Sequence, residues 1–168
     1  EGRFRESVDL SREASVLWQE CIDSNSARPA PATAADQFLM MGPIVTMRGT
    51  REAVGFYREL ADEIRERAGR GEGAIEGERF RLLWDNLPVW HQLRPLSEFL
   101  ADRGVVLVGA TYTNAWTERA ADSTEVTDAV ADAYARVWLN TGLGHREEII
   151  RRMAASLATD GVIFHANR

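Results

Sequence analysis

Residues 80–116 read FRLLWDNLPVWHQLRPLSEFLADRGVVLVGATYTNAW, and the changes of hydrophobic period along this stretch set the fold class. Phe80 to Trp84 is a compact apolar run that stops at Asp85-Asn86-Leu87-Pro88. Pro88 suits the first turn of a helix, and the pattern predicts one reaching to about Asp102, with Gly104 as its C-terminal stop. Val105 to Val108 is a continuous β-branched and apolar run, the pattern of a parallel strand covered on both faces. Strand, helix and strand in this order imply a right-handed crossover.

Downstream, a helical region is expected from Ser123 to about Leu139 and another from about Gly144 to Ala158, before a third buried-strand pattern at Gly161 to His165. Upstream, Gly69, Gly71, Gly73 and Gly77 mark a flexible connection. Before it the period is helical. Residues 4 to 24 carry Val8, Ser11, Ser15, Trp18 and Ile22 near helical spacing, and Pro29 and Pro31 break the pattern. A short second helix around Phe38 to Met41 is expected to stop at Gly42-Pro43. A third runs from Thr50 to Ala68, capped by Thr50 and striped by Val54, Tyr57, Leu60 and Ile64. The predicted fold is therefore α/β. An N-terminal helical region and linker (1–70) is followed by an α/β domain (71–168) with a three-layer, open, flavodoxin-like sheet of about three parallel strands in the order 2-1-3. The chain stops three residues after the third strand pattern, so an internal piece of a larger α/β protein, truncated at both ends, is expected.

The composition narrows the function. Twenty basic against 26 acidic residues give a net charge of -6, which disfavours a duplex nucleic-acid binder, since that needs a basic face. No apolar run approaches the roughly 20 residues of a membrane-spanning helix. The single cysteine, Cys21, excludes an intrachain disulfide, cannot ligate a metal cluster alone, and fits a reducing cytoplasm. No glycine-rich phosphate loop follows the first strand. Gly142-Leu143-Gly144-His145 can hold an anion at a helix start or simply mark a helix boundary. No metal site is expected: His145 and Glu148 stand three apart, and two groups are too few.

In an open parallel sheet, ligands gather beyond the carboxyl ends of the strands. Three segments fall there. The first offers Trp84, Asp85, Asn86, Trp90 and His91; the second Tyr112, Thr113, Asn114 and Trp116; the third His165 and Asn167. The tryptophans can wall an acyl or aromatic group, and Asn86 and Asn114 can hydrogen-bond a carbonyl without adding charge. His91, with an unperturbed pKa of about 6.5, is the candidate for proton delivery. The same residues can equally fill core, cap helices or stabilise turns.

The stretches RLLWDNLPVWHQLRPLSEFLADRGVVLVGATYTNAW (81–116), DGVIFHANR (160–168) and RPAPATAADQFLMMGPIVTMRGT (28–50) resemble the cluster-binding subunits of the 2-hydroxyacyl-CoA dehydratase and benzoyl-CoA reductase family. Within that family, WDNLP and TYTNAW look closer to the benzoyl-CoA reductase branch. The resemblance implies an anaerobic, cytoplasmic enzyme, a lyase or oxidoreductase, acting on an acyl-CoA thioester by single-electron chemistry. It also implies a [4Fe-4S] cluster on each of two related subunits, and a separate ATP-dependent activator protein as electron donor. The family's cysteine ligands have no counterpart among these residues, so the chain alone is expected to be inactive and to bind no cluster. The alternative from the residues is a non-catalytic flavodoxin-like module that binds a partner or small ligand at the same sheet edge.

Overall fold

The computed structural model describes residues 2–166. Helices α1 (Gly2–Asp23), α2 (Ala34–Met40), α3 (Gly42–Thr46) and α4 (Arg51–Gly69) precede strand β1 (Phe80–Asp85). Helix α5 (Leu93–Ala101), strand β2 (Val105–Ala110) and the short α6 (Thr111–Asn114) follow, then α7 (Val126–Arg136), α8 (Leu143–Ser156) and strand β3 (Gly161–Phe164). All strand pairs are parallel and the order is β2-β1-β3, as the crossover rule predicts. Among the described residues, no helix is long and apolar enough to cross a membrane.

Side chains alternate across the sheet with the strand period of two. Leu83, Val106 and Val108 point to one face and pack under Ile149, Met153 and Leu157 of the α8 region, together with Trp138. Trp84 and Leu107 point to the other face and pack against Phe38 of α2, with α5 contributing Leu93, Leu96 and Leu100. The result is the expected three-layer sheet. Gly109 permits the closeness of α8, because a Cβ there would lie 2.8 Å from Leu157 Cδ1.

The helical region has its own core around Trp18, Ile22, Ile44, Tyr57 and Ile64, which Tyr112 and Trp116 join from the sheet side. Buried polar groups staple the two parts. Trp18 Nε1 donates to Thr113 O at 2.9 Å and Asn25 Nδ2 to Val108 O at 2.8 Å. Arg81, fully buried on β1, donates to Leu157 O, Ala27 O and Asn25 O and pairs with Glu78 at 2.5 Å. These bonds satisfy carbonyls that burial would otherwise leave unpaired.

Several boundaries differ from the sequence expectation. Pro88 does not open a helix: Asn86 takes a left-handed φ of 84°, and Leu87 O accepts from Trp84 Nε1 at 3.0 Å. That ties the loop back to the strand, so a 3-10 turn (Trp90–Gln92) intervenes and α5 begins at Leu93. Gly42-Pro43 does not end helical structure either. Pro43 sits in the first turn of α3, where its missing N–H costs nothing. The region expected as a helix from Ser123 to Leu139 is helical only over Val126–Arg136, with a 3-10 turn at Trp138–Asn140. Thr50 caps α4 as expected, its hydroxyl accepting from Ala53 N at 3.2 Å.

Candidate functional site

Beyond the carboxyl ends of β1 and β2 lies a buried polar network. Asp85, 3% exposed at the end of β1, accepts from the Thr111 hydroxyl at 2.9 Å and from Arg146 at 2.6 Å. Thr111 Oγ1 in turn accepts from the backbone N–H of Asn86 at 2.9 Å, and Thr111 O accepts from Trp138 Nε1 at 3.0 Å. The Arg146 guanidinium lies over the Trp138 ring, 4.8 Å from its centroid. Every member of this cycle has a partner, which fixes the first residue of α6 from three sides.

Four of the expected residues meet at this edge. Trp84 is buried, and its ring lies 5.3 Å from the His165 imidazole. Asn86 Nδ2 donates to His165 O at 3.0 Å while Asn86 Oδ1 accepts from Leu87 N at 2.9 Å, so both ends of that carboxamide are engaged within the loop. His165 Nδ1 lies 2.7 Å from Leu87 O. The other expected residues fall elsewhere. Trp90 is 53% exposed, edge-on to Phe38, and His91 is exposed on the same 3-10 turn without a hydrogen bond to the Asp85 network. Thr113 is buried and its hydroxyl faces Gln37 Oε1 and Ala110 O. Tyr112 and Trp116 pack into the helical core, and Asn167 lies outside the described residues.

Asn114 is different. It ends α6, it is 6% exposed, and its carboxamide makes no hydrogen bond to a protein group among the described residues. It lines a cleft of about 710 Å³ together with Ile22 of α1, residues 117–122, and Met153 and Leu157 of the α8 region. The amide, reached by solvent through the cleft and without a partner among the described residues, is available to a ligand. The Asp85 network thus positions α6, and α6 presents Asn114 to the cleft.

Sequence reasoning misses Arg146, Thr111, Trp138 and the α1–α8 cleft. The helix opening at Gly142 to His145 is the nearest signal, one residue short of Arg146. Nothing in the sequence periodicity indicates that Arg146 reaches a carboxylate 61 residues away.

The described residues do not fit an iron–sulfur cluster. Cys21 is 2% exposed in the helical core, and burial, with a smaller contribution from Glu20, pushes its thiol up to about 12. A thiol held neutral is a poor ligand, since the thiolate binds metal. Among the described residues, no three His, Cys, Asp or Glu side chains gather where they could hold a metal ion.

Over residues 1–168 the chain matches the family model of the 2-hydroxyglutaryl-CoA dehydratase D-component. Similar proteins include the lactoyl-CoA dehydratase subunit alpha of Anaerotignum propionicum, 26% identical over 99% of this chain and 40% of that protein. The (R)-2-hydroxyglutaryl-CoA dehydratase subunit alpha of Acidaminococcus fermentans is 27% identical over 100% of this chain and 35% of that protein. A benzoyl-CoA reductase subunit of Thauera aromatica is 28% identical over 98% of this chain and 41% of that protein. The chain thus spans about two fifths of the length of these relatives.

Proposed function

The chain belongs to the 2-hydroxyglutaryl-CoA dehydratase D-component family, and on that premise we propose that it forms one lobe of an enzyme subunit that dehydrates a 2-hydroxyacyl-CoA or reduces an aromatic acyl-CoA. The acyl thioester lies in the α1–α8 cleft. Asn114 donates to its carbonyl. The observation that carries this reading is Asn114, 6% exposed and in the lining of the cleft, whose carboxamide makes no hydrogen bond to the described residues.

In this reading the parent enzyme works with a second, related subunit and with an ATP-dependent activator that supplies single electrons. A [4Fe-4S] cluster carries the hard step, on cysteines outside these residues. This chain orients the substrate. Thr111, Asp85 and Arg146 are positioning residues that act through α6, while His91, on the exposed 3-10 turn and outside the lining of this cleft, is the proposed proton donor.

The test is anaerobic turnover of the intact enzyme carrying Asn114→Ala or His91→Gln. Asn114→Ala is expected to lower kcat/KM about 10- to 100-fold, the range of a lost hydrogen bond to developing charge, with the cluster absorbance unchanged. Kinetics unchanged in both variants would assign these residues to packing and surface.

A further inference from the structure

Helices α1 and α4 carry a ladder of charge along their shared seam. Glu6, Glu13 and Glu20 on α1 pair with Arg51 at 2.5 Å, Arg58 at 2.5 Å and Arg65 at 3.1 Å on α4. The pairs recur every seven residues on both helices and ascend in the same chain direction, so α1 and α4 run parallel. Between the rungs the buried residues step by threes and fours, with Ala14, Trp18 and Cys21 on α1 and Val54, Tyr57, Ala61 and Ile64 on α4. Glu13 and Glu20 directly precede Ala14 and Cys21, and Arg58 and Arg65 directly follow Tyr57 and Ile64. These are the flanking positions that hold the ion pairs of a parallel two-stranded coiled coil.

The residues beside the ladder carry the opposite sign. Glu52, Glu59 and Glu66 follow Arg51, Arg58 and Arg65, and Arg5 and Arg12 precede Glu6 and Glu13. A roll of α4 by one position brings glutamate toward glutamate, and a roll of α1 brings arginine toward arginine. Burial of the apolar seam holds the helices together but is non-directional. The ladder separates one setting from its neighbours twice over, by lost attraction and by new repulsion. Each exposed pair is worth only a few-fold in the folding equilibrium, so its use lies in that difference. We propose that the ladder is a register lock, which fixes the rotation and axial position of α1 against α4. The setting is passed on to the sheet: Trp18 Nε1 donates to Thr113 O at 2.9 Å, next to Asn114, and Asn25, just past α1, donates to Val108 O at 2.8 Å. Through α1 the ladder residues are positioning residues for α6.

Inversion of the three Arg-Glu doublets on α4 tests this in the intact protein. Arg51→Glu with Glu52→Arg, Arg58→Glu with Glu59→Arg, and Arg65→Glu with Glu66→Arg together keep composition and net charge but move the attraction to the rolled setting. The folding constant from urea unfolding should fall at least about tenfold, and anaerobic turnover should fall at least about tenfold as α6 shifts. Adding Glu6→Arg, Glu13→Arg and Glu20→Arg restores every rung with reversed polarity, and both quantities should return to within about threefold of the parent. That second variant differs from the first only on α1, so its recovery cannot arise within α4. Doublet inversion that leaves the folding constant within about threefold of the parent, or a second variant no better than the first, would overturn the lock. Turnover unchanged while the folding constant falls would overturn the positioning of α6. The turnover arm rests on the acyl-CoA reading and the urea arm does not: folding constants that fall and recover as stated, in a protein without acyl-CoA turnover, support the lock and refute that reading alone.

Discussion

Separate replacement of Asp85 and Arg146 should destabilise the chain unequally, because one partner is buried and the other is not. The Asp85 side chain is 4% exposed and that of Arg146 31%. In Arg146→Met the carboxylate keeps only the Thr111 hydroxyl as a side-chain donor and loses its ionic partner. Breaking a buried pair from the side that strands the charge costs about 3–5 kcal/mol, and loss of the guanidinium from the Trp138 face adds about 0.5–1 kcal/mol. Partial access of water once the arginine is gone favours the lower end, so we expect about 3–4 kcal/mol. Asp85→Asn preserves shape and an acceptor for Thr111, and the stranded charge is now a guanidinium that solvent already reaches. Its cost is one partly screened, charge-assisted hydrogen bond, about 1–2 kcal/mol. The double variant should be more stable than Arg146→Met alone, since no unpaired charge is left behind. Urea unfolding followed by circular dichroism, compared at equal m values, measures all three. If Asp85→Asn proves as costly as Arg146→Met, or both fall below about 1 kcal/mol, then Asp85 is not the buried anchor of α6 described above.

Cys21 should react slowly with iodoacetamide at neutral pH in the folded chain and rapidly in urea, because burial keeps the thiol neutral. Its folded pKa lies above the ordinary value of 9.0, reaching about 12. The unfolded state therefore loses its proton first, and stability should fall as pH rises across that interval. Burial shifts Tyr57 upward as well and adds to the same trend; urea midpoints that rise through this window would contradict it. At the left-handed Asn86, replacement by Ala should cost about 2 kcal/mol, combining about 1–2 kcal/mol of backbone strain with the lost bond to His165 O. Asn86→Gly keeps the backbone freedom and should cost about half as much; a glycine variant less stable than the alanine variant would count against strain at this residue.

The architecture is legible in the sequence because it depends on local periodicity. The continuous run Val105 to Val108 and the compact apolar run Phe80 to Trp84 identify the first two strands, and the crossover rule converts the strand order into β2-β1-β3. Helix ends are harder. Pro88 looks like a helix start until the Leu87 carbonyl is seen engaged by the Trp84 indole and the α5 start deferred to Leu93. Site residues fare according to the range of their partnerships. Placing Asn86 and Asn114 both beyond strand ends is a matter of counting along the chain, but which carboxamide is spent and which is open depends on His165 and on the α1–α8 cleft. The sequence alone is sufficient for an α/β sheet with its ligand-bearing loops at one edge, since hydrophobic period and turn residues act over a few neighbours. The pairing of Asp85 with Arg146 across 61 residues and the gathering of Arg12, Arg119, Arg136 and Arg152 around one cleft exist only after folding, because no local rule relates a charge to a partner that distant in the chain.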